Sequence, residues 1–107
     1  MLSYRKAREL AEKWVELATD GSFQIVDVED KPYGWVFYYQ PNGYDPDDIT
    51  TYGVGNGPII VNRFDYEIRT TGTADTIEHY LQEYEVTLPT TCLEAAPERH
   101  DGVKKFS

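Results

Sequence analysis

Between Tyr33 and Tyr39 the chain places five aromatic residues in seven positions, Tyr33-Gly34-Trp35-Val36-Phe37-Tyr38-Tyr39. Aromatic and β-branched side chains suit the pleated surface of a sheet, so the stretch predicts a strand over Tyr33–Gln40. Alternation puts Trp35, Phe37 and Tyr39 on one face and Val36 and Tyr38 on the other. Apolar groups on both faces point to a central strand covered by more than one layer.

The remaining periodicities supply elements to surround it. Ser3 is a candidate N-cap for a helix over Tyr4–Ala18, with Ala7, Leu10, Ala11, Trp14, Leu17 and Ala18 at the spacing of one helical face and Asp20-Gly21 as its stop. Phe23–Val28 reads as a strand, and Glu29-Asp30-Lys31-Pro32 as the turn after it. Pro41–Asn56 reads as a long loop, a length more often functional than structural in compact domains. Ile59-Ile60-Val61 resumes the sheet, and Glu67–Thr71 makes a fourth strand. A second helix over Ala74–Tyr84, capped by Thr73 or Asp75, buries Ile77, Tyr80, Leu81 and Tyr84.

Short sequential connections favour an α+β fold in the order α-β-β-β-β-α, a four-stranded antiparallel sheet with both helices on one face. At 107 residues this is a single domain, assigned to 1–88, with 89–107 as an irregular, flexible tail interrupted by Pro89, Pro97 and Gly102.

The chemistry-bearing residues form no catalytic or metal-binding constellation, so neither an enzyme nor a cofactor is expected. His79 and His100 are isolated, and Cys92 has no local signature of a reactive thiol. Asp45-Pro46-Asp47-Asp48 lacks the glycine and the distal glutamate of a calcium loop. Gly53-Val54-Gly55-Asn56-Gly57 precedes a strand and Pro58, where a phosphate-binding loop would open a helix; the glycines are read as turn formers that reach positive φ. Trp14, Gly34, Trp35, Gly55, Asn56, Gly57, Pro58 and Gly72 are therefore expected to be scaffold, with Trp35 in the core under the first helix near Trp14.

What remains is surface. Tyr38, Tyr44 and Tyr52, with Asp45, Asp47 and Asp48, are the candidate partner-binding residues, since tyrosine offers an apolar body with a polar tip. Nineteen acidic residues against ten Lys and Arg give a net charge of −9, which disfavours nucleic acid and anionic membranes and suits a basic protein partner. A lone cysteine fits a reducing cytosol, and the charged opening Met1–Glu9 is not that of a secretory leader.

Three ordered phrases carry a resemblance: Tyr33-Gly34-Trp35-Val36-Phe37; Gly55-Asn56-Gly57-Pro58-Ile59-Ile60-Val61; and Thr71-Gly72-Thr73-Ala74 with Ile77-Glu78-His79-Tyr80-Leu81 and Tyr84-Glu85. In order and spacing they resemble the YrhB-like family, the thirty-fifth immunity-protein family of bacterial polymorphic toxin systems, over about residues 3–86. The resemblance implies a small cytoplasmic α+β protein that binds and neutralises a cognate toxin without catalysis. The loop at 41–52 falls outside it, and partner specificity is expected there. A chaperone-like binder of partly folded clients is the alternative, holding apolar segments on exposed aromatics within a charged rim.

Overall fold

The computed structural model describes residues 1–43, 57–72 and 75–100. Helix α1 (Tyr4–Thr19) starts at Ser3, whose hydroxyl accepts the Lys6 amide at 3.3 Å, and stops where Asp20 and Gly21 both turn left-handed, with φ of 56° and 77°. Strands β1 (Phe23–Lys31), β2 (Gly34–Pro41), β3 (Ile59–Asn62) and β4 (Ile68–Thr70) follow, then helices α2 (Ile77–Glu85) and α3 (Thr90–Glu94). Every strand pair is antiparallel and the sheet runs β1-β2-β3-β4, so β2 and β3 are central. This is the predicted α+β order, with one further short helix.

Strand β1 is longer than its pattern suggests. Where a turn over Glu29–Pro32 is predicted, pairing continues to Lys31 opposite Gly34, and Pro32-Tyr33 make the reversal. The register shifts between Ile25 and Asp27, a bulge at Val26. The extra residue resets the alternation, so that Phe23, Ile25 and Val28 all reach the same apolar core despite their uneven spacing. Gly34 is fixed twice over. Its φ is 152°, and an added Cβ would overlap the Val61 carbonyl on the neighbouring strand.

The two terminal helices lie on opposite faces of the sheet, not on the one face predicted. On the first face Ala7, Ala11 and Val15 of α1 pack on Val28, Trp35, Phe37, Ile59 and Val61. On the second, Leu81 and Tyr84 of α2 and Cys92 of α3 pack on Tyr33, Val36 and Ile60. The cause is in the central strands: Val36 and Ile60 are as fully buried as Trp35 and Phe37, and a single helical layer hides only one side. The α1 stripe is also rotated from its predicted position. Leu10, Leu17 and Ala18 face solvent, with Leu17 72% exposed, and the buried line runs through Ala7, Ala11 and Val15. Small side chains bring α1 close to a sheet face already filled by Trp35 and Phe37.

Helix α2 starts three residues later than predicted, with Thr76 as cap, its hydroxyl accepting the His79 amide at 3.2 Å. Asp75 instead accepts the Thr76 amide at 2.8 Å, and Thr73 lies outside the described residues.

Where the sequence reads as an irregular tail from 89, α3 buries Cys92 and the chain then crosses to the α1 face. There the Trp35 Nε1–H donates to the Glu98 carbonyl at 2.8 Å, and the Tyr4 amide donates to the Glu98 carboxylate at 2.7 Å. Arg63 donates to the Ala96 carbonyl at 2.9 Å, and the His100 amide to Asp30 at 3.0 Å. Residues 89–100 thus belong to the domain.

Candidate functional site

Among the described residues helix α2 packs on β2 and β3, through Val36, Tyr38 and Ile60, and on Arg69 of β4. Cross-strand pairing puts Gln24, Asp27 and Glu29 of β1 on this same face, opposite Gln40, Tyr38 and Val36, and all three β1 side chains are exposed. Tyr38 is half-buried at the margin of the α2 core, not left free as alternation alone suggests.

Two phenols on this face are already engaged. Tyr38 donates to Glu29 at 3.0 Å, and Glu29 also receives the Lys31 ammonium at 2.9 Å. Tyr33, 1% exposed, donates to Glu85 at 2.7 Å. Burial is the main cause that raises the Tyr33 and Tyr38 pKa values far above the usual phenol range, with the carboxylate that each bonds adding to it. Glu29 is held below its ordinary value, by Lys31 first and then by the Tyr38 hydroxyl, against some desolvation. Asp27 pairs with Tyr38 across the two strands, and the negative charges of Asp27 and Glu78 add to the rise of the Tyr38 phenol.

Beneath them lies a polar core element that the sequence does not announce. Asn62, 1% exposed at the end of β3, donates from Nδ2 to the Tyr84 hydroxyl at 2.9 Å. Its Oδ1 accepts the Phe64 amide at 2.8 Å and the Asp65 amide at 3.2 Å, which shapes the β3–β4 turn. Tyr84 is raised by burial, and the Asn62 donor partly offsets this. Its ring also meets Tyr33 edge-on at 5.6 Å and carries the Arg69 guanidinium at 5.2 Å. The only sequence signal was an Asn ending an apolar run, which reads as a turn residue. The pairs Tyr33–Glu85 and Asn62–Tyr84 span 52 and 22 residues, beyond any local pattern.

The other predicted site residues separate into two groups. Tyr44, Asp45, Asp47, Asp48, Tyr52, Gly55 and Asn56 lie outside the described residues. The remaining scaffold residues are placed. Trp35 is in the α1-face core with Tyr4 edge-on at 5.8 Å, while Trp14 meets Tyr39 at 6.0 Å. An added Cβ at Gly57 would overlap the Thr71 carbonyl, so close approach to the neighbouring backbone demands glycine there. The Pro58 carbonyl accepts both the Thr71 amide at 3.2 Å and the Thr71 hydroxyl at 2.6 Å, and Gly72 sits against the Tyr80 ring.

Two recesses adjoin these elements. One of about 260 Å³ lies between β4 and α2, lined by Arg69, Tyr80, Glu83 and Tyr84 among others. A shallower one, lined by Gln82, Glu85, Val86 and Leu93, has Val86 84% exposed at its rim. No group of three or more His, Cys, Asp or Glu among the described residues is arranged to hold a metal ion. None of the described helices is long and apolar enough to cross a membrane. The arrangement can present carboxylates and phenols in fixed positions, which is the chemistry of polar recognition.

Comparison with known proteins gives one similarity. Over 54 residues the chain is 35% identical to the uncharacterized protein YrhB of Escherichia coli strain K12, covering 50% of this chain and 57% of that protein. The match thus spans little more than half of the curated relative. No family profile matches the chain, and no solved structure matches it significantly.

Proposed function

We propose that this chain is a non-catalytic immunity protein that binds a cognate bacterial toxin and blocks it, protecting the cell that makes both. The observation that carries the reading is the α2 face of the sheet, where phenols are tied to carboxylates before any partner arrives. Groups held in place in the free protein lose little freedom on binding, so more of the contact energy appears as affinity. The net charge of −9 suits a basic toxin, because opposite charge speeds encounter and rejects wrong partners. The similarity to YrhB agrees with the family resemblance of the sequence, and YrhB itself has no stated function. The role places the protein in the cytoplasm, where its buried Cys92 stays a thiol.

The test is co-expression with the product of the neighbouring gene, followed by affinity purification and a growth assay. A stoichiometric complex with restored growth supports the role; the absence of both removes it. The chaperone-like reading is favoured by one feature, the apolar rim of Val86 and Leu93 between α2 and α3. Suppression of aggregation of an unfolded client, lost in Val86→Glu, would establish that reading instead.

A further inference from the structure

We infer that the uncovered β1 side of the α2 face docks an arginine- or lysine-bearing segment of the partner, held by side chains and not by strand addition. The inference deepens the binding role proposed above and rests on it. Three observations lead to it.

The first is an uncovered sheet face beside a covered one. Val36 and Ile60 lie under α2, while Gln24, Asp27 and Glu29 on the neighbouring strand are exposed. The second is charge that the described residues pair only in part. On the outer side of α1, Glu9 is 3.4 Å from Lys6 and Glu12 is 3.1 Å from Arg8. On the shelf, Lys31 serves Glu29, while Asp27 and Glu78 make no ion pair among the described residues. Among the described residues the exposed β1 side of this face, the shelf, thus sets the carboxylates of Asp27 and Glu29 against the single ammonium of Lys31, beside the half-buried Tyr38 ring. A guanidinium fits that chemistry best, since it can stack on an aromatic face and donate to a carboxylate at once.

The third observation excludes the other way of using an edge strand. The Val28 amide is taken by the Asp27 carboxylate at 2.9 Å, and the bulge at Val26 breaks the regular ladder. An edge so interrupted is a poor template for another strand.

The experiment maps binding of an octapeptide of alternating arginine and glycine to the full chain by amide chemical shifts. Shifts are expected at residues 27–31, at Tyr38 and along α2. The isosteric triple variant Asp27→Asn, Glu29→Gln, Glu78→Gln is expected to weaken binding about tenfold or more. The matched variant Glu9→Gln, Glu12→Gln, Glu16→Gln removes the same charge from α1 and is expected to change affinity less than about twofold. Melting temperatures confirm that both variants fold. Equal weakening by the two variants, or new amide protection along β1 as in an added strand, overturns the inference. The toxin assay separates this from the broader proposal. If the shelf variant still captures and blocks the toxin with unchanged affinity, the docking surface is wrong and the immunity role stands. If peptide mapping succeeds and no toxin is bound, the surface stands and the immunity role falls.

Discussion

The two faces of the sheet solve the same burial problem with different materials. Under α1 the contacts are aliphatic and aromatic, with Ala7, Ala11 and Val15 against Trp35, Phe37, Ile59 and Val61. Under α2 and α3 a tyrosine pair, an asparagine and a cysteine share the space with Val36, Ile60 and Leu81. The first face rests mainly on shape, with the buried Trp35 indole N–H satisfied by the Glu98 carbonyl. The second needs its hydrogen bonds satisfied, because a buried polar group without a partner costs more than it contributes. The contrast assigns the labour: the α1 face holds the domain together, and the α2 face holds polar groups in position at the rim proposed to meet a partner.

The largest effect expected from this division is at Trp35. Trp35→Ala removes a ring that is 0% exposed and also frees the Glu98 carbonyl that it bonds. Unfolding in urea is expected to show a loss of about 3–5 kcal/mol. Leu81→Ala on the opposite face, at 6% exposure, is expected to cost less, about 2–3 kcal/mol. A Leu81→Ala loss equal to that of Trp35→Ala would break the division of labour.

Asn62 is next in size. Asn62→Ala deletes a donor to the Tyr84 hydroxyl and the acceptor of two turn amides, all at a site 1% exposed. A cost of about 1–3 kcal/mol is expected. Combining it with Tyr84→Phe separates the parts. Removing both ends of the Asn62–Tyr84 bond is expected to cost less than the two single changes added, and strict additivity would mean that the turn amides carry the whole effect.

How much of this contrast was visible in the sequence depends on the range of the interaction. The strand at Tyr33–Gln40 and its two-faced alternation were legible, because strand periodicity is local. The order of elements followed from short connections. The same two-faced strand implied cover on both sides, yet the prediction placed both helices on one; only packing decides which helix goes where. The rotation of α1 was hidden for a related reason. Leu10 and Leu17 have the right spacing and the wrong size for a close helix–sheet contact; of the predicted stripe Ala7 and Ala11 are buried, and Val15, outside it, completes the line. The bulge at Val26 had no sequence signal, since one inserted residue is indistinguishable from a strand that simply ends. Of the candidate partner residues only Tyr38 lies among the described residues. Its relation to Glu29, and that of Tyr33 to Glu85, depends on a tertiary approach that no local pattern encodes.

The tyrosines of the α2 face offer a pH test of intermediate size. Tyr33 and Tyr38 have pKa values raised in the folded state, by burial and then by a carboxylate, so the folded protein keeps their protons longer than the unfolded chain does. Their stabilisation is therefore complete below the unfolded value of about 10 and is lost as pH rises through the folded values. Urea midpoints are expected to fall above about pH 10 in the native sequence, and to fall less in Tyr33→Phe, Tyr38→Phe. Tyr39 on the α1 face is raised by burial without a carboxylate, so Tyr39→Phe is expected to flatten the alkaline limb less. If Tyr39→Phe flattens it as much, the carboxylate partners contribute nothing and the α2 face loses its distinction.

The smallest effect expected is at Glu29, and it tests what the rim is for. Its pKa is lowered in the folded state, by Lys31 first and then by Tyr38, so its stabilisation is present above the ordinary carboxylate value and is lost as pH falls through the lowered one. The Glu29 side chain is 46% exposed, so solvent screens most of the pairing, and only a few tenths of a kcal/mol are expected between about pH 5 and pH 3. Glu29→Gln is expected to remove that small acid dependence and leave neutral stability nearly unchanged. A loss above about 1 kcal/mol at neutral pH would make Glu29 a structural residue, like Asn62. A near-zero loss, together with the weakened peptide binding of the shelf variant, would mean that the fold spends little on this carboxylate and that its negative charge is kept for a partner.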